Sequence, residues 1–282
     1  MSGGVLNGLD RQWLADLRAS SQLAPSRARM PLLAGGVVIG SVEPAVASEI
    51  ACLPFNHGHS LLSMQECQGA SAVSLAGEPT AGLHAVALAL REVGLAHAWR
   101  NEQLAVTGPQ GEQVGTVERA VVRVLGIATR AVHLIGRAPD GRHWVQQRSL
   151  TKPNDPGLLD TLMGGMIGAA DTLAGALERE TWEEAGLRLH QLKDIAHGGH
   201  VDIRCPSDDA GGHGYVVERI DWYHCSVPDG LEPANQDGEV ERFVLMDTSE
   251  MLERMHEGQF TREAALLQAD WMTAPSDSSS RT

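Results

Sequence analysis

Apolar positions along this chain alternate between a helical and a strand-like period. Leu9, Trp13, Leu14 and Leu17 recur at helical spacing and predict an amphipathic helix over residues 9–20. Residues 31–42 alternate instead around Gly35–Gly36, as a short hairpin does. Pro44 is well placed to open a helix running to about Ala51, where its missing N–H costs nothing. A longer helix is predicted over 78–96 from Leu83, Val86, Leu90 and Val93. Another hairpin follows over 104–117, turning at Gly108–Pro109–Gln110–Gly111. The pattern G-[ST]-V-E-x-A-V occurs at 40–46 and again at 115–121, each time after a hairpin and before an apolar run. This reads as a duplicated hairpin–helix unit in a small α+β domain over residues 1–125.

From Ala131 the pattern changes. AVHLIGRAPDGRHWVQQRS reads as two strands about a turn at Pro139–Asp140–Gly141, and a loop over 150–157 leads through a further strand to Gly164. Strands are predicted over 188–204, 214–226 and 239–245, with closing helices over 251–257 and 262–273. Residues 126–274 thus predict a second domain, a layered α/β arrangement with a helix on each side of a mixed sheet. Residues 275–282 are polar and Ser-rich and predict a disordered tail.

The candidate chemistry lies in residues 164–187, GGMIGAADTLAGALERETWEEAGL. Leu173, Leu177 and Thr181 recur every four residues, one buried stripe on a helix. Thr172 suits the N-cap and Gly186 a left-handed terminator, so a helix is predicted over 172–185. On it Glu180, Glu183 and Glu184 share a face. Like charges at this spacing cost about 0.2–0.5 kcal/mol per pair. Taken alone, they read as a solvated acidic face. A helix built only for stability would not cluster them without a cation, and Mg²⁺ or Mn²⁺ is the natural one, since a hard divalent ion takes carboxylate oxygens and keeps waters for a phosphate-bearing substrate.

The frame from Gly165 to Leu187 resembles the Nudix box, G-x5-E-x7-R-E-U-x-E-E-x-G-U with U an aliphatic residue. Gly165, Arg179, Glu180, Glu183, Glu184, Gly186 and Leu187 match it, while Asp171 replaces the first Glu and Thr181 the first aliphatic. The resemblance implies an α/β/α sandwich and metal-dependent hydrolysis of a small-molecule diphosphate. It implies that Glu180 and Glu184 hold the metal and that Glu183 is a further ligand or orients the attacking water. Gly165 is expected to bend the chain so that backbone groups reach metal or phosphate. Arg179 is expected to fix a glutamate by ion pairing, and Asp171 to be structural. Outside the box, Arg148 and Lys152 are candidate diphosphate contacts, with a surface ion pair as the competing reading. Glu239 and Glu241, expected on one strand face, are candidates for a remote ligand or general base; a solvated face is the alternative. Trp144, Trp222 and Tyr223 are expected in the core rather than stacked on a ligand.

Segments 126–136 and 144–149, then Lys152, Pro156–Gly157 and Asp160, then 237–241 and Leu245–Met246 resemble one subgroup. It comprises the Nudix proteins related to fungal thiamine pyrophosphokinase-associated proteins and their plant relatives, in which a domain about the size of 1–125 comes first. This narrower resemblance implies hydrolysis of thiamine diphosphate, or of its oxidised analogues, to the monophosphate. Hydrolysis of ADP-ribose or another nucleoside-diphosphate conjugate is the alternative within the enzyme class. A non-catalytic metabolite-binding regulator is the alternative outside it, disfavoured because all three glutamates are present. An isopentenyl diphosphate isomerase-like activity would need a cysteine before the box, and none occurs between Cys67 and Cys205.

Charge and composition narrow the partners. The 282 residues carry 36 acidic against 22 basic side chains, a formal charge of −14, which disfavours nonspecific nucleic-acid binding. It does not disfavour a phosphate substrate, since a metal bridges two sets of negative charge. Four cysteines without C-x-x-C spacing are expected as free thiols in a reducing cytoplasm. No secretory leader and no membrane-length apolar run are visible. The histidines at 57, 59, 197 and 200 lack the companions of a zinc site. The N-terminal domain is expected either to cover the site or to support a homodimer.

Overall fold

The computed structural model describes residues 9–51, 60–96 and 98–274. Cys52, His57, His59 and the 275–282 tail lie outside the described residues. The helix α1 (Arg11–Ser20) is capped by Asp10, whose carboxylate accepts the Trp13 N–H. Its Trp13, Leu14 and Leu17 pack on a cluster from the far end of the chain, with Phe260, Ala264, Ala265 and Met272.

A four-stranded sheet follows, ordered β2-β1-β4-β3, from β1 (Met30–Ala34), β2 (Val37–Val42), β3 (Leu62–Cys67) and β4 (Ala70–Leu75). The first hairpin turns at Gly35–Gly36, both at positive φ, a twist that only glycine takes freely. The β3–β4 hairpin turns at Gln68–Gly69. Helix α2 (Pro44–Ala51) connects the two, and α3 (Pro79–Glu92), capped by Glu78, closes the layer. A separate hairpin, β5 (Gln103–Thr107) with β6 (Gln113–Glu118), runs into a 3-10 turn at Arg119–Val121. Both glutamates of the repeated pattern are buried, Glu43 just after the second strand of its hairpin and Glu118 at the end of the second strand of its own. The second repeat leads into this short turn and not into a helix like α2.

The larger, seven-stranded sheet has the path β11-β12-β7-β8-β13. Its strands are β7 (Thr129–Arg137), β8 (His143–Arg148), β9 (Leu159–Asp160), β10 (Met163–Met166), β11 (Lys193–Ser207), β12 (Gly214–Ser226) and β13 (Val240–Met246). β12 runs parallel to β7, and β10 lies antiparallel to β7. The sheet is therefore mixed, as expected. Helix α4 (Leu173–Ala185) packs Ala176, Leu177 and Ala185 on one face of it with Val132, Leu134 and Met163. After a single turn, α5 (Asp209–Gly212), the chain ends in α6 (Thr248–His256) and α7 (Arg262–Thr273). Leu266 and Leu267 of α7 cover the other face with Ile135, Ile203 and Trp222. α6 begins one turn before its expected start because Asp247 caps the Glu250 N–H. No described helix is long and apolar enough to cross a membrane.

The two halves are laced at the box. The Ala169 N–H donates to the Gln103 carbonyl at 2.8 Å, Leu104 bridges Gly168, and Met166 packs into the core of the four-stranded half.

Candidate active site

Helix α4 has the local construction expected of its sequence. The Thr172 hydroxyl accepts the Gly175 N–H, and Gly186 terminates the helix at φ 63°. Thr181, fully buried where the pattern has an aliphatic residue, satisfies its hydroxyl on the Leu177 carbonyl at 2.6 Å.

Arg179 is the hub of the first acidic cluster. Its guanidinium donates to Asp171 at 2.7 Å, to Glu180 at 2.8 Å and to Glu183 at 2.9 Å. Asp171 is thus held in an ion pair, which suits its shorter reach. Glu180 lies directly behind Gly165, where a Cβ would collide with its carboxyl group. Burial pushes the Glu180 carboxyl up to about 7, against Arg179 and with help from Glu184 and Glu183.

Glu184 is deeper and sits in a second cluster. It accepts from Lys152 Nζ at 3.2 Å, from the Gly164 N–H at 2.9 Å and from Gln146 Nε2 at 2.9 Å. Burial raises its pKa, opposed first by Lys152 and then by the two hydrogen bonds. Lys152 also reaches Glu239 Oε2 at 2.7 Å, and Arg100 holds Glu239 Oε1 at 2.9 Å. Burial works against the charge on Glu239, yet Lys152 and then Arg100 hold it at about 2. Arg148 pairs with Asp160 at 3.3 Å and donates to the carbonyls of Asn154 and Asp155, which fixes the 150–157 loop.

Glu241 does not accompany Glu239. The β8–β13 register shifts between Val240 and Arg242, so Glu241 falls at a bulge and is exposed, while Glu239 turns inward just before the strand. Alternation along an unbroken strand had placed both on one face.

Arg148, Lys152, Glu239, Gly164 and Gly165 line one cleft of about 160 Å³. Its opposite wall comes from the first half of the chain, including Arg100, Arg119 and Arg123. His133, Asp160 and Glu218 also face it. Gly164 is required here, since a Cβ would strike the His133 ring across the β7–β10 pair. Trp222 is in the core; Trp144 and Tyr223 are partly buried against the cluster under α4. His197 and His200 lie exposed on β11, 3.5 Å from Asp221 and 3.9 Å from Asp202. Cys67, Cys205 and Cys225 are free thiols.

Among the described residues no three His, Cys, Asp or Glu side chains converge as a ready-made cation cage. Arg179 and Lys152 hold the carboxylates apart, into two clusters on one helix. The donor chemistry nonetheless fits a hard divalent ion. Glu180, Glu183 and Glu184 offer carboxylate oxygens, and the missing Cβ of Gly165 is what gives Glu180 its room against the backbone.

Residues 128–265 match the family model described as the NUDIX domain. The chain is 30% identical over 187 residues to the Saccharomyces cerevisiae protein YJR142W, covering 62% of this chain and 54% of that one. It is 33% identical over 144 residues to Nudix hydrolase 20, chloroplastic, of Arabidopsis thaliana, covering 48% and 36% respectively. It thus spans about half or less of the length of these curated relatives. Among solved structures, DR0079 from Deinococcus radiodurans superposes with a TM-score of 0.47 at 19% identity, covering 60% of this chain and 97% of that one. The helix of glutamates, its glycine turn and the mixed sheet beneath them all lie within residues 128–265, the stretch that matches the NUDIX domain.

Proposed function

We propose that the chain is a divalent-metal-dependent pyrophosphohydrolase that cleaves the phosphoanhydride of a small organic diphosphate to the monophosphate. Thiamine diphosphate, or its oxidised analogues, is the preferred substrate in this reading. The observation that carries the chemistry is the placement of Glu180 and Glu184, two buried carboxylates of one helix, beside a cleft edged by Arg100, Arg148 and Lys152. The substrate preference rests on the subgroup resemblance of residues 126–165 and 237–246.

A Mg²⁺ or Mn²⁺ ion held by Glu180, Glu183 and Glu184 would neutralise diphosphate oxygens and acidify a water. Arg148 and Lys152 orient the diphosphate by charge-assisted hydrogen bonds. Arg179 holds Glu180 and Glu183 in register through a single guanidinium. Glu239, held at about 2, is a weak proton acceptor at neutral pH and a poor general base.

The test is phosphate and pyrophosphate release with Mg²⁺ from thiamine diphosphate, its oxidised analogue, ADP-ribose, NADH and a dinucleoside polyphosphate. Glu184→Gln runs beside the native protein. Metal-dependent turnover of the thiamine compounds that the variant lacks supports both chemistry and substrate. Turnover of ADP-ribose alone keeps the chemistry and discards the substrate. Tight binding of one compound without turnover of any favours a metabolite-binding regulator.

A further inference from the structure

We propose that Arg100, outside the Nudix domain, is a ligand-binding residue of the cleft, forming with Lys152 a two-cation clamp for a phosphate group that Glu239 occupies in this structure. The proposal rests on the phosphoanhydride reading above for the identity of its ligand. Glu239 presents one carboxylate oxygen to Arg100 at 2.9 Å and the other to Lys152 at 2.7 Å. Two cations bridged by the two oxygens of one carboxylate are also placed to bridge two oxygens of one phosphate. The exchange therefore asks little movement of either cation. A guanidinium in this position brings further N–H donors to a second oxygen, which an ammonium cannot do in a fixed plane.

The segment that presents Arg100 is built, not incidental. The Arg100 N–H donates at 3.0 Å to Glu118, which is buried and is the glutamate of the second G-[ST]-V-E pattern. The next residue, Asn101, holds a left-handed φ of 56° and accepts the indole N–H of Trp99 at 2.9 Å. Arg91 covers the Trp99 ring at 4.6 Å. Two residues on, Gln103 accepts the Ala169 N–H, so the strand carrying this turn is tied to the box loop itself. Arg100 is thereby fixed relative to Gly165 from outside the domain that contains Gly165.

The competing role is a tie between the two halves of the chain. An ion pair whose partners are 32% and 34% exposed contributes little to stability, which makes it a poor tie and an accessible one. The experiment is calorimetric titration of inorganic pyrophosphate into the full chain with Mg²⁺ present, beside thermal melting of the free protein. Arg100→Ala is expected to weaken pyrophosphate binding at least tenfold, Arg100→Lys to recover part of it, and the melting temperature to stay within a few degrees. With any diphosphate the enzyme turns over, KM should rise while kcat changes less. Arg100→Gln, which keeps length and amide donors, replaces the alanine variant if that one melts early. Unchanged pyrophosphate affinity in these variants overturns the clamp, and so does a native protein that binds no pyrophosphate. Binding that depends on Arg100, with no turnover of any diphosphate, keeps the clamp and removes the hydrolase reading.

Discussion

The sheet of residues 30–75 and the sheet of residues 129–246 are both mixed, and each is covered by helices, yet they differ in what they bury. Before residue 126, the buried polar side chains among those described are Ser21, Glu43 and Glu118. Glu43 is met by His213 at 2.8 Å and by Arg29 at 3.9 Å, and Glu118 caps the turn that follows it. In the larger sheet and its helices, His133, Gln146, Asp160, Glu180, Glu184, Glu218 and Asp221 are all buried. Several are crowded with like charge, and burial raises the pKa of Glu180, Glu184 and Glu218. Buried charge is costly unless paired. The first half pairs its few buried charges, Glu43 with a histidine of the other half, whereas the second buries a surplus of carboxylate.

The sharpest way to break this contrast is to neutralise one carboxylate in each half. Glu184→Gln should lower metal-dependent turnover on the order of 10³-fold while the protein still folds, as steady-state kinetics and circular dichroism would show. Retained turnover would mean that the surplus charge is structural after all. Gly165→Ala should come next. The added methyl displaces the Glu180 carboxyl, and a misplacement of that size costs roughly 10²-fold in rate, measured as kcat. Glu43→Gln should do the reverse, lowering stability by about 1–3 kcal/mol through its unpaired neighbours in a denaturant melt, with kcat unchanged.

A titration sharpens the contrast inside the second half, because His143 is buried there for packing rather than chemistry. Burial, and then the charge of Arg137, depress its pKa from 6.5 to about 4. Below pH 6.5 the unfolded chain takes up a proton that the folded one refuses. The His143 contribution to stability should therefore fall as pH drops from about 6.5 to about 4, by up to ~3 kcal/mol. Glu180, raised to about 7, works in the opposite sense over this range, so the difference between the native and His143→Gln melting curves isolates the histidine. The smallest effect belongs to Thr181→Val. It restores the aliphatic residue and gives up one hydroxyl bond to a carbonyl, so stability should move by within about 1 kcal/mol.

Local patterns proved the most legible in the sequence. Thr172, the Leu173 stripe and Gly186 bound α4 almost to the residue, because cap, period and terminator are all short-range signals. The hairpin at 62–75 is not legible in the sequence. β3 reads LSMQEC, in which Met64 is exposed and four consecutive positions face solvent, so its short alternation marks no buried face. Only Gln68–Gly69 signalled the turn. At the site, the box supplied Arg179 and the three glutamates, but the residues that surround them are assembled by pairing across the sheet. Gln146 reaches Glu184 from β8, His133 faces Gly164 from β7, and Arg100 arrives from the other half of the chain. None of these has a spacing to read. The misplacement of Glu241 has a similar cause, since a bulge is one residue of irregularity that leaves no mark on an alternating pattern.

The contact between α1 and α7 also sets an order of events during synthesis. Trp13, Leu14 and Leu17 leave the ribosome well before Phe260, Ala264 and Met272, which help to bury them. The Trp13 ring meets His256 at 4.6 Å, a partner equally late. Until α7 is made this apolar stripe lacks the partners that cover it, and such segments are where nascent chains engage chaperones or one another. Completion of α7 is then also the moment at which α1 ceases to be a hazard.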